Sequence, residues 1–141
     1  MHPNEYQKEA CRTFKDHKEL TTKQAELLDW ALGLAGEAGE VCELLKHHIF
    51  HEEQLDKMKL AKELGDVLWY ISAIAKTNRI NMDTILALNI SKLRHRYNNK
   101  TFNTTDSASR HTKEKCFENT ELYQVLKKAI MEGEESDDCS Q

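Results

Sequence analysis

Apolar residues recur along this chain every three or four positions, the period of a helix that buries one side. Tyr6, Ala10, Cys11 and Phe14 set this rhythm over residues 4 to 18, with charges between them, and predict a first short helix. Thr21-Thr22-Lys23-Gln24 has the form of a capping box, and behind it Leu27, Trp30, Leu34, Val41, Leu44 and Leu45 predict a long helix to about residue 48. A connection covers residues 49 to 55. Leu60, Val67, Tyr70, Ile71 and Ile74 then predict a second long helix from about residue 56 to 76, broken by Thr77-Asn78-Arg79. Asn81 or Asp83 can cap a further helix that carries Ile85, Leu86 and Leu93 and reaches Tyr97, where Asn98-Asn99 supplies a stop. No strand alternation competes, so the expected fold is all-α, a four-helix-type bundle with long amphipathic helices. The domain boundary falls after residue 102. From Phe102 to Asn119 the chain is polar and rich in Ser and Thr, which predicts a mobile connector. Within the remaining segment, residues 103 to 141, Leu122, Val125, Leu126, Ala129 and Ile130 predict one more amphipathic helix, and the acidic stretch from Glu132 to Gln141 is expected to be a disordered tail.

Two acidic pairs interrupt this pattern on its apolar side. Glu37-Ala38-Gly39-Glu40 and Glu63-Leu64-Gly65-Asp66 each place two carboxylates three residues apart, one helical turn from each other on nearly the same face. At about 100° per residue, Glu37 points the same way as Leu27, Trp30, Leu34, Val41, Leu44 and Leu45, with Glu40 beside it. Glu63 lies among Leu60, Val67, Tyr70, Ile71 and Ile74, and Asp66 at the edge of that stripe. Acids on a core-facing side need a partner, either cations from elsewhere in the chain or a metal ion.

Composition narrows the setting. A length of 141 residues suits one domain, and a charged share of 31% with a single Pro and five Gly suits helices with solvated outer faces. The net charge of -4 speaks against a general nucleic-acid binder. Cys11, Cys42, Cys116 and Cys139 show no zinc-site spacing, no secretory signal is read, and no apolar run approaches the roughly 20 residues of a membrane span. Reduced thiols and a cytoplasmic, membrane-free protein are expected.

Four converging carboxylates offer only oxygen, the ligand that Mg²⁺ prefers, and Mg²⁺ is commonly shared between a few carboxylates and substrate phosphates. Asn89, Lys92 and Arg96 fall on one face of the fourth helix and suit a polyphosphate: Lys as a point charge, Arg as a bidentate clamp, Asn as a neutral donor. Trp30 shares the direction of Glu37 two turns earlier and can offer a surface to a nucleobase, although core or subunit interface is the more common use of such a Trp.

Three blocks together carry a family resemblance. Gly33-Leu34-Ala35-Gly36-Glu37-Ala38-Gly39-Glu40-Val41, Lys62-Glu63-Leu64-Gly65-Asp66-Val67-Leu68-Trp69-Tyr70 and Asn89-Ile90-Ser91-Lys92-Leu93-Arg94-His95-Arg96-Tyr97 resemble, in this order, the MazG-like nucleotide pyrophosphohydrolases over about residues 25 to 102. The resemblance implies an all-α enzyme that hydrolyses nucleoside triphosphates to the monophosphate and pyrophosphate. It implies Mg²⁺, with Mn²⁺ as a substitute, held by Glu37, Glu40, Glu63 and Asp66, and Asn89, Lys92, Arg96 and Tyr97 near the substrate phosphates. Family members often follow that Tyr with Pro and Gly, where this chain has Asn98-Asn99, so the turn geometry departs from the pattern. A homodimer or homotetramer is expected, because a bundle this small leaves apolar faces uncovered.

Other readings are weaker. Either acidic pair alone would be an ordinary solvated pair. A non-catalytic helical adaptor, its acids in ion pairs and its last helix on a partner, is the main alternative. A redox di-metal bundle would want a His three residues after a Glu, which Glu40, Glu43 and Glu63 lack. His47 and His51 stand one turn apart, but without further ligands in sequence they read as a solvated helix end.

Overall fold

A computed structural model describes residues 2–13, 19–97, 101–102 and 104–132. Among the described residues seven helices follow one another: α1 (Pro3–Cys11), α2 (Thr22–Phe50), α3 (Lys57–Thr77), α4 (Met82–Arg96), α5 (Thr104–Ala108), α6 (Arg110–Glu118) and α7 (Glu121–Glu132). The described residues contain no strand, and the fold is all-α as the periodicity requires. Residues 14–18 of the expected first helix, the Asn98-Asn99 stop and residues 133–141 of the acidic tail lie outside the described residues.

Local chemistry sets the helix starts. Thr21 and Gln24 form the expected capping box, Thr21 Oγ1 accepting from the Gln24 amide at 3.3 Å and Gln24 Oε1 from the Thr21 amide at 3.0 Å. Asp56 caps α3 by accepting from the Met58 and Lys59 amides, both at 3.0 Å, and Asn81 caps α4 by accepting from Asp83 at 2.7 Å. The end of α3 is a Schellman turn: the Ile80 amide donates to Ala75 and the Arg79 amide to Lys76, both at 2.9 Å. Arg79 occupies the left-handed position with φ 57°, where glycine is usual.

The 29 residues of α2 make a rod about 43 Å long, and its principal packing partner is α3. Partner numbers fall along α3 as they rise along α2. Trp30 and Gly33 meet Tyr70, while Glu37 meets Asp66 and Glu63, so the two helices form an antiparallel hairpin. Gly33 permits this close approach, since a Cβ there would run into the Tyr70 ring. The principal partners of α4 are α6 and α7 instead.

Residues 102–119 were expected to be a mobile connector, yet they carry α5 and α6. The reason is Phe117, only 4% exposed, with its ring centroid 5.8 Å from His95 of α4 and 5.4 Å from Tyr123 of α7. One buried anchor residue orders a stretch whose other side chains are mostly polar. Among the described residues only Ala75 and Phe117 are buried apolar groups, whereas Leu28, Leu32, Ile49, Leu64, Leu68, Leu86 and Ile90 are exposed. Among the described residues no helix is long and apolar enough to cross a membrane.

Candidate metal centre

Because α2 and α3 run antiparallel, Glu37 of the first acidic pair faces both acids of the second. Ligand oxygens of Glu37, Glu63 and Asp66 all lie within 4.8 Å of one another. Glu37 and Glu63 are half-buried and Asp66 is exposed, in keeping with its place at the edge of the stripe. Removal from water, followed by the negative charges of Asp66, Glu63 and Glu40, raises the Glu37 carboxyl above its ordinary value of 4.5. A divalent cation would offset both the lost hydration and the mutual repulsion, and an all-oxygen donor set fits a hard ion such as Mg²⁺.

Glu40 is exposed and stands outside this triad, although its charge still reaches Glu37. It lines an open groove of about 410 Å³ toward the closed end of the hairpin, with Glu43, His47, His48, Glu53 and Lys59 among its neighbours. On the other side of the triad, Trp30 is half-buried with its ring centroid 5.5 Å from Trp69 and 6.4 Å from Tyr70. Trp69, 55% exposed, stands in the second sequence block but was assigned no site role. Its position one turn after Asp66 was the available signal.

Asn89 is exposed, while Lys92, Arg96 and Tyr97 are half-buried on α4. Among the described residues no hydrogen bond or ion pair joins them to the acids, so within one chain the cationic face and the acid triad occupy different packing units. Two groups missed by the sequence reading, Asp106 and Lys113, act on this helix: Lys113 Nζ donates to the Arg96 carbonyl at 2.9 Å and pairs with Asp106.

A model of the MazG nucleotide pyrophosphohydrolase domain matches residues 26–101. The chain belongs to the MazG family. This MazG domain holds all three sequence blocks, both acidic pairs and helices α2 to α4 except the first turn of α2, while α5, α6 and α7 lie outside it. The Gene 37 protein of Mycobacterium phage L5 is similar, 33% identical over 69 residues. That alignment spans 46% of this chain and 60% of the phage protein, less than two thirds of its length. No solved structure matches the chain.

The His run is not an isolated solvated end. His47 Nδ1 meets Glu53 Oε1 at 2.9 Å and its Nε2 meets Glu43 Oε1 at 3.5 Å, while His48 Nδ1 meets the Glu53 carbonyl at 2.8 Å. The hydrogen bond with Glu53, and then its charge, raise His47 above its ordinary 6.5; the same bond lowers Glu53 below its ordinary 4.5. The raised His makes its contribution to folding fully below pH 6.5 and loses it as pH climbs through the raised value. The lowered Glu makes its contribution fully above pH 4.5 and loses it as pH falls. The clamp across the α2–α3 connection is therefore complete between those two values. Melting temperature is expected to fall more between about pH 6 and about pH 8 in the wild type than in a His47→Gln variant. Equal falls in the two proteins would mean that His47 does not set this pH dependence.

Proposed function

We propose that the chain is a Mg²⁺-dependent nucleotide pyrophosphohydrolase that cleaves a (d)NTP to the (d)NMP and pyrophosphate. The carboxylate triad on α2 and α3, inside the segment matched by the family, carries this reading. Glu37, Glu40, Glu63 and Asp66 would hold Mg²⁺, with Mn²⁺ as a substitute. When bound, the ion supplies neutralisation of phosphate charge and lowers the pKa of water. A carboxylate oxygen not engaged by the ion orients the attacking water toward the α-phosphorus. Lys92 and Arg96 gather the phosphate oxygens, Asn89 and Tyr97 donate beside them, and Trp30 lies against the base.

The catalytic unit in this reading is residues 1 to 102. The exposed apolar residues on α2, α3 and α4 support a homodimer or homotetramer, whose association both covers them and closes the α4 face over an acid triad. A nucleotide substrate and a need for Mg²⁺ suit the cytoplasm. A panel of NTPs and dNTPs with Mg²⁺ is expected to yield pyrophosphate from at least one nucleotide. No pyrophosphate from any of them would favour the adaptor.

A further inference from the structure

The C-terminal segment lies outside the family match, yet it reaches back to the part of α4 that carries Arg96 and Tyr97. A helix leaves its last carbonyls without intrahelical donors, and a cation placed there both donates to them and opposes the helix dipole. At the end of α4 this donor comes from 17 residues further along the chain: Lys113 Nζ bonds the Arg96 carbonyl at 2.9 Å. Its ammonium also pairs with Asp106 of α5, and the two side chains are only 28% and 20% exposed. Phe117, one turn after Lys113 on α6, packs on His95 in the same last turn of α4. Main chain and ring are thus gripped side by side by one face of α6.

We propose that Lys113 is a positioning residue that fixes the last turn of α4, so that Arg96 and Tyr97 are presented to substrate phosphates in a set geometry. This rests on the reading of that turn as a phosphate contact. The segment from α5 to α6 then serves substrate capture rather than metal binding, because its grip falls on α4 and the acid triad lies on α2 and α3.

The test compares wild type, Lys113→Met and Lys113→Arg in the 141-residue chain. In Lys113→Met, KM for the nucleotide is expected to rise about tenfold with kcat within about twofold, a tenfold change being about 1.4 kcal/mol. Amide exchange over residues 93–97 should quicken while exchange in α2 and α3, and Mn²⁺ binding read by electron spin resonance, stay as in the wild type. Lys113→Arg should restore most of both effects. Should Lys113→Met fail to fold, Asp106→Asn keeps the lysine but removes its counter-charge, and the same shifts are expected in smaller size. Unchanged exchange at 93–97 overturns the inference whether or not the enzyme is active, and quicker exchange with unchanged KM overturns it too. An inactive wild type instead overturns the function reading and the substrate half of this inference, while exchange still decides whether Lys113 holds the helix end.

Discussion

Glu63→Gln is expected to lower nucleotide hydrolysis about a hundredfold or more while leaving the metal-free protein at least as stable as the wild type. The substitution keeps the volume of a half-buried side chain but removes one of three carboxylates whose oxygens lie within 4.8 Å. Loss of that charge weakens the hold on a divalent ion. It also removes a source of the repulsion that lifts the Glu37 carboxyl. Activity and metal-free stability should therefore move in opposite directions, which a merely structural residue would not produce. Hydrolysis assays paired with thermal melts in chelator read both quantities, and full turnover by the variant would exclude Glu63 as an essential ligand.

Phe117→Ala is expected to cost about 3 kcal/mol, at the lower end of the range for truncating a buried aromatic because the surrounding α4, α6 and α7 contacts are few. Against a usual total of about 5–15 kcal/mol that is a large share. Phe117 is 4% exposed and touches both His95 and Tyr123, so its loss uncouples three helices at once. The principal packing of α2 and α3 is against each other, so the Mn²⁺ binding of the hairpin should persist wherever the variant remains folded. Denaturant unfolding measures the loss; a cost under about 1 kcal/mol would mean that the C-terminal segment is not held by this ring.

The helical framework was legible because its starts are written in local chemistry. Thr21 with Gln24, Asp56 and Asn81 each act within three residues, and such signals survive without knowledge of the tertiary structure. The acidic pairs were legible for the same reason, as positions on their own helices. What periodicity could not supply was the neighbour of each face. A three-residue step leaves Glu40 about 60° from Glu37, enough to separate it from the triad once α3 is in place. The spacing of Lys92 and Arg96 puts them on one side of α4, but nothing in that spacing says that α4 packs on α6 and α7. Lys113 reaches its carbonyl across 17 residues, and Phe117 is an isolated apolar position on α6 in a mostly polar stretch, so neither carries a periodic signal. Trp69 was visible beside Asp66, and only the hairpin register brings it to Trp30.

The reaction proposed for this chain is water attack at the α-phosphorus of a nucleoside triphosphate in a Mg²⁺-dependent site. Hydrolysis in ¹⁸O-enriched water, followed by mass spectrometry of both products, tests it most directly. The expected products are pyrophosphate without label and the nucleoside monophosphate carrying one ¹⁸O, with no turnover after chelation. Label in pyrophosphate, release of orthophosphate with a nucleoside diphosphate, or no product from any nucleotide would contradict it.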